Sequence, residues 1–225
     1  MISFKGAHFA KAIILTCVHW YVAYLLSYRQ LEEMQQERGV AVDHSTIHRW
    51  VLKYSPQLEA AFHRRNRPVS RSWRLDETYI RVRGRWHYLY RAVDKAGQTI
   101  DFLLTTHRDE PAARRFLTRA IRRHGVPETI TIDGSEANVA AIRSYNGAHG
   151  TAIVIRRVRY LNNVVEQDHR AVKRVVRPTL GFKAFETARH TLTGVELMHM
   201  LRKGQWAGGA EQGLTAAEQF YASAA

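Results

Sequence analysis

Apolar residues recur at helical spacing over the first 54 positions and turn to strand-like alternation after residue 72. Phe9–Leu26 reads as one helix and Tyr28–Arg38 as a second, with Gly39 as a left-handed stop. Asp43 is placed as the N-cap of a third helix, His44–Lys53. There Ile47, Trp50 and Val51 fall at i, i+3 and i+4 and face inward, leaving His44, Ser45, His48 and Arg49 on the other side. Residues 55–71, with Pro56, Asn66 and Pro68, read as a linker. Arg74–Val82 is rich in β-formers, Arg83–Gly84 turns, and Trp86–Val93 alternates. Trp86, Tyr88, Tyr90 and Ala92 share one face of that strand, and the three aromatics are expected in the core. Thr99–Thr106 is a third strand. Glu110–His124 is an amphipathic helix with Ala113, Phe116, Leu117, Ala120 and Ile121 inward and Arg115, Arg119 and Arg122 outward. A strand at Glu128–Ile132, a helix at Glu136–Tyr145, a strand at Thr151–Ile155, a helix at Asn163–Val176 and a helical stretch over 184–203 complete the chain. The order β-β-β-α-β-α-β-α predicts an α/β fold, a five-stranded mixed sheet flanked by helices, behind an all-α segment.

Charge narrows the partner. The 225 residues carry 34 Lys+Arg against 20 Asp+Glu, a net +14, so the partner is expected to be a polyanion, with DNA or RNA first. A ribosomal or membrane-surface protein fits the same balance. Arg64, Arg65, Arg67 and Arg71 crowd the linker, where they suit phosphates. The single cysteine, Cys17, rules out an internal disulfide and any multi-cysteine metal site, and fits a reducing cytoplasm. The most apolar run, Ala12–Leu26, contains Thr16 and His19 and falls short of the ~20 residues of a spanning helix, so no membrane segment is expected. No small-residue cleavage site follows it, and no signal peptide is expected.

Three acids stand out by placement. Asp76 sits inside the first strand, Asp133 ends the fourth, and Glu166 lies in the first turn of a helix. An ionised carboxylate in mid-strand is costly unless a cation compensates it. Divalent ions with oxygen ligands do so cheaply, because Mg²⁺ takes one or two carboxylates and leaves its other positions to water and phosphate. Each acid singly has a plain alternative: an arginine partner for Asp76, a turn or helix-start role for Asp133, a helix N-terminus for Glu166. Glu77 alternates to the opposite face from Asp76 and is expected outside the site. His169, Arg170, Lys173 and Arg177 follow Glu166 at +3, +4, +7 and +11 along one helical face, with Val165, Val172 and Val176 on an adjacent one.

The blocks WRLDETYIRVRGRWHYLYRAVDKAGQTIDF, TIDGSEAN and RYLNNVVEQDHRAVKR, preceded by YRQLEEM and STIHRWV, resemble bacterial insertion-sequence transposases of the DDE type, in the cointegrate-forming family numbered six. The resemblance runs from about Phe4 to Lys203. It implies an RNase H-like, retroviral-integrase-like catalytic core over 72–178, a helix-turn-helix DNA-binding domain over 1–54, a basic linker over 55–71 and a C-terminal helical segment over 179–225. It also implies that Asp76, Asp133 and Glu166 are the catalytic and metal-binding triad, served by two Mg²⁺ or Mn²⁺ ions. The expected activity is binding of terminal inverted repeats followed by metal-dependent strand cleavage and transfer. Expected partners are double-stranded DNA, as element ends and target, and at least one further copy of the chain. The expected place is the cytoplasm, at the nucleoid. His44, Ser45, His48 and Arg49 would enter the major groove, while Arg64, Arg65, Arg67, Arg71, His169, Arg170, Lys173 and Arg177 would line the DNA. The chain departs from the pattern at Gly134, where a lysine is common, and at Glu136. An inactivated transposase that only binds DNA is therefore the second reading, and an RNase H-like nuclease acting on RNA or branched DNA the third.

Overall fold

The computed structural model describes residues 2–24, 26–209 and 212–224, leaving aside the side chains of residues 159 and 179. Leu25, inside the expected first helix, lies outside the described residues. The chain divides into two compact units: a helical unit of Met1–Arg67 with Val172–Ala225, and a sheet unit of Pro68–Ala171. The expected divisions at 72 and 178 thus move to 68 and 172, and residues 179–225 share a unit with the N-terminal helices. Among the described residues, no helix is long and apolar enough to cross a membrane.

In the helical unit, α1 spans Lys11–Ala23, α2 Tyr28–Gln36, α3 His44–His63, α7 Phe185–Arg202 and α8 Ala216–Ala222. Ser27 and Gln30 cap α2 reciprocally, and Asp43 accepts from the backbone N–H groups of Ser45 and Thr46 at the start of α3. The linker expected from residue 55 is instead helix as far as His63, with Pro56 inside it. Proline removes one helical hydrogen bond, but the buried stripe Ile47, Trp50, Val51, Tyr54, Leu58 and Phe62 keeps helical spacing straight through it. The Gln57 side-chain amide donates to the Lys53 carbonyl at 3.0 Å beside the proline. Burial of the stripe outweighs the missing bond, since each large apolar side chain contributes roughly 1.5–3 kcal/mol. Gly194 of α7 marks a close approach: a Cβ there would meet Val22 Cγ1 at 2.5 Å and Ser55 Oγ at 2.7 Å. The short α8, capped reciprocally by Thr215 and Glu218, has no counterpart in the expected elements.

In the sheet unit, β1 spans Ser72–Val82, β2 Arg85–Asp94, β3 Thr99–Thr105, β4 Thr129–Ile132 and β5 Val154–Arg157, in the order β3-β2-β1-β4-β5. β1 pairs antiparallel with β2 and parallel with β4, and β5 runs parallel to β4. This is the five-stranded mixed sheet expected of an RNase H-like core. Helices α4, Glu110–His124, and α5, Glu136–His149, bury Phe116, Leu117, Val139 and Ile142 with Trp73, Leu75, Tyr90 and Ala92 of the sheet. α6, Asn163–Val176, continues past the end of this unit at Ala171.

Two expectations shift. β5 starts at Val154, because the Asn146 side chain accepts from the Thr151 hydroxyl and the Ile153 N–H and draws residues 151–153 into the end of α5. Trp86 is 62% exposed rather than in the core, while Tyr90 is fully buried. Trp86 pairs with Arg81 near the tip of the β1–β2 hairpin, on the face of Tyr79 and Tyr88.

Candidate functional site

The strand order reverses at β1, which has antiparallel β2 on one side and parallel β4 on the other. Open α/β sheets bind ligands at such switch points, beyond the carboxyl ends of parallel strands. The β1–β4 register runs from Ser72↔Thr129 to Arg74↔Thr131. Carried on by two residues, it sets Asp133, just past β4, abreast of Asp76. Gly134 follows at φ +109°, where a side chain is strained, and the Ser135 N–H donates to Asp133 Oδ1 at 3.2 Å as the chain enters α5. The departure at Gly134 thus has a backbone use. Glu136 meets Arg157 at 3.0 Å.

The electrostatics agree with this placement. Asp76 keeps 14% of its side-chain exposure, whereas Asp133 and Glu166 are exposed. Burial first, then the charges of Glu77 and Asp133, with a smaller contribution from Glu166, push the Asp76 carboxyl up from 3.8 to about 7. The acids therefore lie within reach of one another's charge. Among the described residues, however, no three His, Cys, Asp or Glu side chains are gathered tightly enough to hold one metal ion between them.

Glu77 does face away from Asp76, in register with Tyr90, yet it is not a solvated bystander. Its side chain is 3% exposed and lies 3.2 Å from Arg108 Nη2. Burial raises the Glu77 carboxyl, and Arg108 and Asn138 hold it down against the charge of Asp133. Arg108 stands in a His-Arg-Asp triplet to which the sequence assigns no role. Burial works against its guanidinium, and the charges of Glu77, Asp133, Tyr79 and Asp76 outweigh that and raise its pKa.

On α6 the chain separates two stripes. Val165, Asp168, His169, Val172 and Val176 are buried at i, i+3, i+4, i+7 and i+11, while Glu166, Arg170 and Arg177 are exposed and Lys173 is half-buried. The expectation that His169 stands with the outward cations is therefore corrected: it is 5% exposed, with Nδ1 3.5 Å from Asp76 Oδ2. The signal that finds it is the valine stripe itself, Val165 to Val176, with two polar residues set at the same spacing.

The groove-reading candidates on α3 are partly engaged. His44, Ser45 and Arg49 are exposed and His48 is half-buried. His44 Nδ1 lies 2.8 Å from Glu32 Oε2, the Ser45 hydroxyl donates to Asp43, and Arg49 Nη2 donates to Thr46 Oγ1 at 2.8 Å. His48 sits edge-on to Tyr28 with ring centroids 5.1 Å apart, and burial lowers its pKa. Arg64, Arg65 and Arg71 are exposed and Arg67 is half-buried. The Arg67 N–H donates to Gln205 O at 2.8 Å, Arg65 lies over the Trp206 ring, and Arg71 is 3.8 Å from Glu128.

Comparison with known proteins bears on this arrangement. A family model described as a DDE domain, of the IS240 transposase type, matches residues 70–205. The transposase for insertion sequence-like element IS431mec of Staphylococcus aureus is 38% identical over 207 residues, 89% of this chain and 88% of that protein. The transposase for insertion sequence element IS257 in transposon Tn4003, also of Staphylococcus aureus, is 37% identical over 207 residues with the same coverage. Among solved structures, the catalytic core domain of BIV integrase superposes with a TM-score of 0.46 at 20% identity, covering 68% of this chain and 95% of that one. With the DDE domain matched over more than half its length and these relatives along most of it, the chain belongs to the DDE transposases of the insertion-sequence family numbered six.

Proposed function

We propose that the chain, within its family's activity of DNA transposition, binds the terminal inverted repeats of an insertion sequence and catalyses metal-dependent strand cleavage and strand transfer. The observation that carries this reading is that the charges of Asp133 and Glu166 reach the buried Asp76, on the strand where the sheet order reverses. The donor set fits a divalent ion: all-oxygen carboxylates, with the charges of Asp133 and Glu166 adding to the proton affinity of the buried Asp76. Asp76, Asp133 and Glu166 would be the residues that hold the Mg²⁺ or Mn²⁺ ions, two of which are expected. When bound, the ions supply Lewis-acid polarisation of the phosphodiester and a nucleophile at neutral pH.

The chain's residues supply binding and orientation. In the helical unit, α3 would present His44, Ser45, His48 and Arg49 to the major groove as the second helix of a helix-turn-helix, with Arg64, Arg65, Arg67, Lys173 and Arg177 on phosphates. In the sheet unit, Arg170 would take phosphates near Glu166, and Arg71, beside Glu128 at the start of β1, would take phosphates further along the duplex. Hydrolysis at the element end breaks a P–O bond and leaves a 3′-hydroxyl. That hydroxyl then attacks a target phosphodiester in line, and the target's own 3′-oxygen departs. Pairing two ends calls for at least a homodimer, acting in the cytoplasm at the nucleoid. The presence of Asp76, Asp133 and Glu166 together in the chain speaks against the DNA-binding-only reading.

The test is Asp76→Asn assayed on duplexes bearing the element end. Cleavage and transfer should disappear while end binding stays within about twofold. Loss of binding and cleavage together in a folded variant would contradict the assignment.

A further inference from the structure

A buried ion pair stands beside the three acids. Arg91 lies in the middle of β2, directly across from Asp76 in the antiparallel register, and so on the same face of the sheet. A guanidinium in that position is the natural partner for a mid-strand carboxylate. It goes elsewhere: Arg91, with no side-chain exposure, places Nη2 2.7 Å from Oδ2 of Asp168 on α6, which is 7% exposed. Asp168 occupies the buried stripe of α6 between Val165 and Val172, two residues after Glu166. A two-residue step rotates about 200° around a helix, so anchoring Asp168 to the sheet also sets the direction in which the exposed Glu166 points.

Two further contacts tie the same stretch to β1. Asn162, just before α6, donates Nδ2 to the Leu75 carbonyl at 3.3 Å. His169, next to Asp168, lies 3.5 Å from Asp76. We propose that Arg91 and Asp168 are positioning residues for the transposition chemistry: their buried pair fixes the rotation and height of α6 against β2, and thereby where Glu166 stands relative to Asp76 and Asp133. Neither residue touches DNA or a metal ion. This rests on the reading of Asp76, Asp133 and Glu166 as ion-holding acids, which the experiment tests separately.

An apolar contact would also hold a helix on a sheet, but it allows sliding and rotation, whereas a charged pair of fixed geometry defines one setting. Removing Asp168 alone takes one carboxylate from the buried Arg91 and endangers the fold. The paired replacement Arg91→Met with Asp168→Leu removes both charges at similar volume and keeps the docking apolar.

The experiment uses the full chain and three readouts: thermal unfolding, hydrogen exchange of the amides in 163–171, and Mn²⁺ affinity from the free-ion EPR signal. The paired variant should unfold near the wild-type temperature, exchange its α6 amides at least tenfold faster, and bind Mn²⁺ roughly 10–100-fold more weakly, the range for residues that orient metal ligands. Asp168→Asn, where folded, should show the same losses, and Asp168→Glu should recover part of the affinity. Wild-type Mn²⁺ affinity and wild-type α6 exchange in the folded paired variant would overturn the proposal. Glu166→Gln is the control for the site: if it binds Mn²⁺ as the wild type does, the ion-holding role of Glu166 falls. The positioning claim is then decided by α6 exchange alone, which unchanged rates in Asp168→Asn would refute.

Discussion

Replacing Asp76 by Asn should destroy activity and stabilise the metal-free protein at alkaline pH. The folded state raises the Asp76 carboxyl from 3.8 to about 7, a change of about 3 pH units, or roughly 4 kcal/mol of penalty on the ionised form. The residual 14% side-chain exposure lets water screen part of this, and about 2 kcal/mol is the reasonable remainder. The direction follows from linkage. Between pH 3.8 and 7 the folded state holds a proton that the unfolded state has released, so this contribution to stability is complete below pH 3.8 and gone above pH 7. Asn cannot ionise and escapes the loss. In a chelator-treated sample, Asp76→Asn should therefore melt roughly 4–8 °C above the wild type at pH 8, with the gap closing toward pH 4. Adding Mn²⁺ at pH 8 should narrow or reverse the gap, because only the wild type keeps the complete acid set. Differential scanning calorimetry across that pH series is the assay. A variant that melts at or below the wild type at pH 8, or a gap independent of pH, would refute the reasoning.

Further outcomes follow from other parts of the chain. Gly194→Ala should lower stability by about 1–3 kcal/mol in urea unfolding despite alanine's helix preference of about 1 kcal/mol, because the new Cβ collides with Val22 and Ser55; an unchanged midpoint would mean the helices separate freely. Burial, and next the charge of Arg202, push His19 down from 6.5 to about 4. Stability should thus fall as pH drops from 6.5 to 4, by at most about 3 kcal/mol, and His19→Gln should flatten that part of the pH profile in urea titrations. Replacing Arg64, Arg65, Arg67 and Arg71 together by Ala should make the log–log salt dependence of duplex binding shallower, by roughly 0.9 for each phosphate no longer neutralised. Fluorescence anisotropy between 50 and about 300 mM salt reads this, and an unchanged slope would take these arginines off the DNA.

The features legible in the sequence are those written in local pattern. The strand order, the amphipathic α4 and the caps at Ser27 and Asp43 each depend on neighbours within a few residues. The three acids stand out in the sequence because each sits at an awkward place for a charge: mid-strand, strand end or helix start. Pro56 misleads because its local effect is strong, whereas the stripe from Ile47 to Phe62 that overrides it extends across four turns. Trp86 misleads because alternation gives a face but not how far the covering helix reaches along it. Asp168 and Arg91 are unreadable as a pair, since 77 positions separate them and each looks singly like an ordinary surface charge. Spacing counted from Glu166 puts His169 in the cationic stripe, spacing counted from Val165 puts it on the buried one, and its burial and its contact with Asp76 decide for the second.

The central claim is that Asp76, Asp133 and Glu166 jointly hold the divalent ions at which DNA is cut. A crystal structure of the full chain bound to an element-end duplex in Ca²⁺ tests it directly. The account predicts calcium ions coordinated by all three carboxylates at about 2.3–2.6 Å, with the end's phosphodiester on the same ions. An ion held elsewhere, or a Glu166 carboxylate left in solvent while the ions are bound, would contradict it.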